Sequence, residues 1–506
     1  MITRRQILRS LLQTGIALPF VNYTSLNQAL ARDPILSLGD TLPPIEDRVI
    51  VLLRMFGGND GLNTVVPFTD DMYYKIRGEN PGGSCAIAPK DVLRITGSDT
   101  LGFHHAMPLL RNCYDAGKMA ILQNVGYPNQ DLSHFRSTDI WLSGSDADVF
   151  DETGWMGRYL ESKFPALSDS PPLHPPAIEF TRSVSRLLTG AKAQYGFAYR
   201  GTTPVPDKPG KPSNAAKGSK KEQDYVQMMQ NQSHIYLKAL TAIEENTVRN
   251  SISYPKNNVV GEDLAHVARL VASGLKSSVY SLVTDNMFDN HEGLIVYHNQ
   301  ALNIIDSAVG AFQQDIENLG IADRIILVLY SEFGRRLAPT GSGTDHGAAG
   351  PVFIIGKNIK GGLYGNNPDL RNLDADGNIR FETDFRQIYA TLLSSWFGVS
   401  ADAMFPQLLP HLMNKVPFID SPNLSDIPVV ITPNPCTTSC NINLYAHEIK
   451  SLRIFSIEGR QYQLPIHYNQ SYGADVEIGA LSPGAYYVEA LSGNQKFYGN
   501  FVKITP

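Results

Sequence analysis

The stretch from Arg324 to Gly356, RIILVLYSEFGRRLAPTGSGTDHGAAGPVFIIG, constrains this chain most. An apolar run from Ile325 to Tyr330 reads as a strand and ends in Ser331-Glu332. A loop carrying Asp345-His346-Gly347 leads at once into a second apolar run, Val352 to Ile355. Acids and an imidazole therefore sit just past the end of one strand and just before the next. In an open α/β sheet the carboxyl edge of the strands is where ligands bind. Oxygen and imidazole groups meeting there point to a divalent metal or a proton-transfer site. The other reading is that Glu332 pairs with Arg335 or Arg336 and His346 is a satisfied loop residue.

Similar arrangements recur upstream. Arg48 to Phe56 (RVIVLLRMF) is a nearly continuous apolar run, the pattern of a strand buried on both faces. It breaks into Gly57-Gly58-Asn59-Asp60-Gly61-Leu62-Asn63. The glycines allow a tight turn and close approach to a ligand, and Asp60 then sits at the strand's C-terminal tip. A plain Asn-Asp-Gly turn is the alternative. Met119 to Val125 reads as another buried strand, followed by Asp131-Leu132-Ser133-His134-Phe135-Arg136. Asp131 and Ser133 both suit the N-cap of a helix entering at His134. A serine there sees backbone N–H groups and the positive dipole end, so it can offer a hydroxyl to an anionic substrate; capping alone also accounts for it. His134 beside it is a base, a ligand or a helix-face residue. Val279 to Phe288 reads as a strand ending in Asp289-Asn290-His291-Glu292. A helix from His298 to Leu319 follows, its apolar residues Leu302, Ile305, Val309, Phe312, Ile316 and Leu319 alternating at helical spacing. It leads straight into the Ile325 strand, and strand–helix–strand units build parallel sheets. The expected fold is a doubly wound, mostly parallel α/β sheet flanked by helices. Several acidic strand tips at one edge would supply what a cation site needs, convergent ligands from separate segments.

The 506 residues exceed one ordinary domain. A formal net charge of −6 with no long basic run argues against nucleic acid as a partner. In residues 1–30, Arg4-Arg5 precede a modest apolar segment from Leu11 to Val21, too short and polar to span a bilayer. This resembles a twin-arginine export signal; an ordinary amphipathic helix is the alternative. No later run approaches the roughly 18 apolar residues of a transmembrane helix, so no integral membrane protein is expected. Within the main domain, 45–415, residues 201–223 are rich in Pro, Gly, Lys and Ser and read as an exposed flexible loop. Residues 416–441 read as a linker, and Cys436 and Cys440 within it can bridge in an oxidising compartment. In residues 442–506, short β-rich runs divided by Gly- and Ser-bearing turns suggest a small β-sandwich. It carries no cluster of chemistry-bearing side chains, which fits an attachment or sorting module.

Five stretches are specific in combination: GGNDGLNTVVP (57–67), SHF (133–135), FDNH (288–291), SEFGR (331–335) and TDHG (344–347). On these, residues from about 1 to 415 resemble the twin-arginine-exported bacterial proteins of the 1501 domain-of-unknown-function family. That family is similar to a branch of the alkaline phosphatase and sulfatase superfamily. The resemblance implies a doubly wound α/β fold and one or two divalent metals (zinc, calcium, magnesium or manganese) beside a hydroxyl or formylglycine nucleophile. By order along the chain it implies Asp60, Asp289, His291, Glu332 and His346 as metal ligands, with Asp345 a ligand or the orienter of His346. It places Ser133 near the nucleophile. Beside that, the residues themselves offer His134 as a catalytic candidate, His134 or Arg136 as a contact to the leaving group or anion, and Asn63, Arg136 and Arg335 as candidate substrate contacts. The chain departs from the pattern where Asp-x-His replaces Asp-x-x-x-His and where Phe333 stands in place of a histidine ligand. It has no Cys-x-Pro-Ser-Arg run, so a standard sulfatase is not expected.

The C-terminal module has its own signature: Ile454-Phe455-Ser456-Ile457-Glu458-Gly459-Arg460, then Leu481-Ser482-Pro483-Gly484-Ala485-Tyr486, then Phe501-Val502-Lys503. It resembles the C-terminal sorting domain of the type IX secretion system, which implies a Bacteroidota-type envelope. Together these resemblances imply an exported, metal-assisted hydrolase of phosphate or sulfate esters, on small molecules or linked to polysaccharide. Its partners would be the twin-arginine translocase and the type IX machinery, with passage through the periplasm to the cell surface or medium. The alternative is a non-catalytic surface protein that keeps the fold with at most a structural cation.

Overall fold

The computed structural model describes residues 42–167, 170–199, 220–245, 248–399, 401–405, 416–419, 429–444, 449–456, 460–468, 473–492 and 495–505. The export-signal reading of residues 1–30 and most of the loop reading of 201–223 lie outside them. The chain divides into two compact units, the larger built from Pro43–Leu392 and Ala401–Asp420.

The larger unit is organised on a nine-stranded sheet. Its strands are β1 (Val49–Arg54), β2 (Met119–Gly126), β3 (Ala177–Glu179), β4 (Gly196–Ala198), β5 (Val279–Val283) and β6 (Ile325–Tyr330). A hairpin of β7 (Gly334–Thr340) and β8 (Gly343–Gly347) stands apart from that sheet, which continues with β9 (Gly350–Ile355), β10 (Gly362–Tyr364) and β11 (Thr383–Asp384). The order is β10-β2-β9-β6-β1-β5-β3-β4, with β11 also on β2. Every pairing is parallel except those of β9, which runs antiparallel to both β2 and β6. The helices used below are α1 (Pro108–Asp115), α2 (His134–Ser143), α3 (Trp155–Lys163), α4 (Lys220–Glu245), α5 (Val259–Ala272), α6 (Leu294–Asn318) and α7 (Phe385–Thr391).

The central strands are largely apolar because both sheet faces are covered. Val49, Val51 and Leu53 of β1 share one core with Leu264 and Val267 of α5 and Leu302, Ile305 and Val309 of α6. Ile50 and Leu52 alternate to the opposite face and are equally buried. The strand read over Val279 to Phe288 is shorter, ending at Val283, because its partner β1 ends at Arg54 and leaves no ladder beyond. Residues 220–223, read as part of a flexible loop, open α4 instead. Asp384 and Gln387 close a capping box at the head of α7.

Asp306 on α6 caps α1, accepting from the N–H groups of Leu109 at 3.2 Å and Leu110 at 2.8 Å. Burial lifts its carboxyl to about 6. A folded-state value above the unfolded one means this contribution is complete below about pH 4 and fades as pH rises through about 6. Two pKa units correspond to roughly 3 kcal/mol. We expect the stability gap between wild type and Asp306→Asn, read by denaturant titration, to shift against wild type by that order between pH 4.5 and 7.5. A constant gap would refute the assignment.

The smaller unit contains two four-stranded antiparallel sheets. One holds Val430–Thr432, Ser439–Asn443, Gly473–Glu477 and Ile466–Tyr468; the other holds Gln461–Tyr462, Ser451–Ser456, Gly484–Ser492 and Gln495–Lys503. Ile431, Ile442 and Val476 from the first share a core with Ile454, Val488 and Phe501 from the second, a sandwich. Its first strand lies within the stretch that sequence alone reads as linker. Cys436 and Cys440 are buried in it as free thiols.

Candidate metal centre

The site is built at the carboxyl edge of the sheet. The turn Gly57–Asp60 follows β1, Asp289–His291 follows β5 and Ser331–Glu332 follows β6. Because β9 runs antiparallel, the segment just before it reaches that same edge. The stretch between β6 and β9, read as a loop, is the β7–β8 hairpin, in which Arg335 pairs with His346. Gly57 has φ +119°, and a Cβ there would lie 2.4 Å from the Asp289 backbone nitrogen. Only glycine lets the β1 turn come this close to the acidic loop.

Asp289 is the hub. Its Oδ1 lies 3.0 Å from His291 Nε2 and 3.3 Å from His346 Nε2, and its Oδ2 lies 3.4 Å from His134 Nε2. Ligand atoms of His134, Asp289 and His346 all fall within 4.8 Å of one another. Each imidazole is held from behind through Nδ1: His134 donates to Glu332 Oε1 at 2.7 Å, His346 to the Leu132 carbonyl at 2.8 Å and His291 to Asp345 Oδ1 at 3.2 Å. With Nδ1 protonated, each neutral ring turns its Nε2 lone pair inward. The Nε2 atoms of His291 and His346 face each other at 3.0 Å. Neither can donate to the other in that tautomer, so the pair calls for a shared cation, a proton or a metal. Back-side hydrogen bonds to carboxylate and carbonyl are how proteins orient metal-bound histidines. The residues present therefore fit a divalent ion.

The electrostatics agree. Burial acts to raise the Asp289 carboxyl, but the hydrogen bond and charge of Arg335 overcome it and hold the group well below the usual carboxylate range. Burial pushes His346 down, keeping the ring neutral. The hydrogen bond it donates to Glu332 pushes His134 up. Phe333 packs against two of the rings, with centroids 4.8 Å from His134 and 4.6 Å from His346.

Of the residues expected at the site, the structure gathers His134, Asp289, His291, Glu332, Asp345 and His346. Within that group Glu332 and Asp345 hold imidazoles from outside rather than facing Asp289, and Asp345 orients His291, not His346. Ser133 lies exposed at the N-cap of α2, with no capping bond from its side chain. Three expectations are corrected by position. Asp60 is 1% exposed, and its carboxylate is taken by Arg77 at 2.8 Å, the Asn63 N–H at 3.0 Å and the Thr344 hydroxyl at 3.1 Å. Asn63 is buried with it, bonded to Arg77 and Tyr73, and so is no substrate contact. Arg335 is buried too, donating to the carbonyls of Gly57, Gly58 and Thr344 and to Asp289 Oδ1 at 2.6 Å. It fixes the hub carboxylate instead of meeting substrate. Arg136 spends Nη2 on the carbonyls of Asp146, Ala147 and Val149, pinning a loop. Sequence reasoning missed Arg77 and the Leu132 carbonyl. A backbone carbonyl leaves no side-chain signal, and a lone arginine 17 positions past Asp60 gives no hint of pairing.

A family model described as "Protein of unknown function (DUF1501)" matches residues 46–405. A second, described as a secretion system C-terminal sorting domain, matches residues 430–504. No curated protein matches the sequence. Among solved structures, the chain is similar to a protein in the alkaline phosphatase superfamily from Vibrio parahaemolyticus, with 13% identity and a TM-score of 0.33, over 82% of this chain and 80% of that one. It is also similar to a phosphonate monoester hydrolase from Silicibacter pomeroyi, with 11% identity and a TM-score of 0.32, over 73% and 77% of the two chains. A sulfatase from Pseudoalteromonas sp. is similar at 11% identity and a TM-score of 0.33, over 85% and 79%.

Proposed function

The chain belongs to the DUF1501 family of proteins of unknown function, and from that premise we propose metal-assisted hydrolysis of phosphate or sulfate esters. The observation that carries this reading is the convergence of three Nε2 lone pairs on Asp289, each ring held through Nδ1. In this reading His134, His291, His346 and Asp289 hold the ion. An imidazole-rich set suits zinc or another late first-row metal better than calcium or magnesium, which favour all-oxygen shells. A divalent ion there supplies Lewis-acid polarisation of an ester oxygen and lowers the pKa of a coordinated water or hydroxyl. Glu332 keeps His134 in the tautomer that faces Asp289. Arg335 keeps Asp289 ionised and aimed. Ser133, exposed beside His134, offers the hydroxyl nucleophile. Phe56 and Phe333 cover the His134 ring and limit water on that side.

The sorting domain indicates export to the cell surface, and among the described residues no helix is long and apolar enough to cross a membrane. Entry by the twin-arginine route, with the ion loaded before translocation, belongs to the same proposal. The substrate class is a small or polysaccharide-linked ester. The test is elemental analysis of natively exported protein alongside a phosphate- and sulfate-ester panel. We expect stoichiometric metal, turnover abolished by chelator, and at least a 10²-fold loss of kcat in Ser133→Ala, the scale of losing an activated nucleophile. Metal without turnover would instead support a non-catalytic exported protein with a structural cation. Phe333, packed on both rings in place of a further histidine ligand, is the observation on that side.

A further inference from the structure

Two cysteines meet inside the C-terminal sandwich, and the metal chemistry uses neither. Cys436 and Cys440 are 1% and 2% exposed and lie in one core with Ile442, Val476, Val488 and Phe501. Their thiols hydrogen-bond to each other. The backbone nonetheless ties them to different sheets. Cys436 donates its N–H to the Val502 carbonyl at 2.9 Å, and its own carbonyl accepts from the Ile504 N–H at 2.9 Å. It therefore sits on the closing strand, Gln495–Lys503, where it bridges Lys503 and its Sγ lies 3.5 Å from the Val502 carbonyl oxygen. Cys440 belongs to Ser439–Asn443 of the other sheet, in register with Val476. Thr437, Thr438 and Ser439 alone carry the chain from one thiol to the other. The Thr438 carbonyl accepts from the Ile478 N–H at 2.8 Å, which fixes that crossing.

A disulfide needs two cysteines whose side chains face each other at close range. Thiols in hydrogen-bond contact across so short a spacer meet that need. The sorting domain takes the chain out of the reducing cytosol, into surroundings where disulfides form and persist. Burial pushes both thiols up, Cys440 to about 12. Once the sandwich has closed, neither is a nucleophile at neutral pH. Cys85 and Cys113, by contrast, belong to the larger unit, one bonded through its N–H to the Arg77 carbonyl and the other on α1.

We propose that Cys436 and Cys440 form a disulfide in the exported protein, made before the sandwich closes, and that this bond staples the closing strand to the opposite sheet. The co-reactant is the disulfide of a thiol oxidase in the envelope. One cysteine thiolate attacks a sulfur of that disulfide, forming a mixed disulfide and releasing the other oxidant sulfur as a thiolate. The second cysteine thiolate then attacks the Sγ of the first and displaces the remaining oxidant sulfur. The two cysteines give up two protons and two electrons, and the oxidant leaves as a dithiol. The order of events has a consequence for export: the sandwich closes after translocation, even where the larger unit crosses folded. None of this depends on a metal or on ester turnover, so the hydrolase reading stands or falls separately.

The full chain, recovered after export by its native host, is unfolded and alkylated with iodoacetamide, with and without prior reduction, and its peptides are weighed. We expect the Cys436–Cys440 peptide to be unalkylated and two hydrogens lighter before reduction, and doubly alkylated after it. Cys85 and Cys113 should be alkylated in both samples. Alkylation of Cys436 and Cys440 without reduction overturns the disulfide. The staple is read by pulse proteolysis of the 430–504 segment in denaturant. Reductant should raise the unfolding constant of the wild-type segment about 10- to 30-fold, the scale for opening so short a loop, and leave Cys440→Ser unchanged. An equal response in both overturns the staple; should Cys440→Ser fail to fold, no response in wild type overturns it alone. Chain refolded in reductant and then offered oxidised glutathione should stay reduced at Cys436 and Cys440. Ready oxidation there overturns the proposed order of oxidation and closure.

Discussion

Asp289→Ala should leave a folded protein that no longer retains a stoichiometric divalent ion. Asp289 is the carboxylate that all three imidazoles face, at 3.0, 3.3 and 3.4 Å. Removing it leaves Nε2 lone pairs with no negative charge to draw a cation among them. His346→Ala should act alike, since its Nε2 also meets His291 Nε2. Glu332→Gln tests the outer support. It keeps the shape but weakens the hold on His134, and should cost about 10–100-fold in metal affinity, the scale for losing an outer partner of a ligand. Asp289→Ala must exceed that. Competition with a chromogenic chelator, plus elemental analysis, measures all three. Wild-type metal affinity in Asp289→Ala would end the metal reading, and with it the hydrolysis built on it.

The second large effect concerns stability and lies deeper. Arg77→Met should destabilise the larger unit by about 3–5 kcal/mol, the cost of stranding one partner of a buried ion pair. Arg77 and Asp60 are 0% and 1% exposed and meet at 2.8 Å. Arg77 also ties the chain to the β7 strand through the carbonyls of Arg336 and Leu337. Burial works to raise the Asp60 carboxyl, and the charge and hydrogen bond of Arg77 overcome it and hold it low. Without Arg77 that carboxylate stays ionised and unpaired, or takes up a proton. The double variant Arg77→Met/Asp60→Asn should recover part of the loss, because the uncompensated charge is then gone. Denaturant unfolding followed by a probe in the larger unit gives the answer; a loss below 1 kcal/mol would overturn it. The pair of experiments also sorts the roles, since Asp289 governs the ion and Asp60 the framework.

The contrast between Asp60 and Asp289 marks how far sequence reading reaches. Both acids follow a strand, and both were expected to bind metal. The strand ends are legible because burial on both faces demands an unbroken apolar run, and the polar residue that breaks it marks the rim. Nothing in the run says which acid turns inward to a guanidinium and which stays at the surface. Arg335 gave the opposite error: a charged side chain near a histidine looks like a substrate contact, yet its four acceptors are Gly57, Gly58, Thr344 and Asp289. The hairpin between Glu332 and Gly350 reads as a loop in the sequence, since its strands are short, glycine-bearing and polar.

By itself the sequence determined the α/β class, the strands β1, β2 and β6, the helix that starts at His134, the chemistry-bearing residues near the strand tips, and a separate β-rich tail. It could do so because periodicity and punctuation are local, set by neighbours a few positions apart. Only the tertiary structure decided that β9 runs antiparallel, which brings Asp345 and His346 to the same rim as Asp289. Only it joined His134 to Glu332 across 198 positions. Strand direction and side-chain pairing are settled by long-range packing and by the need to satisfy buried charge, and neither leaves a mark at short sequence range.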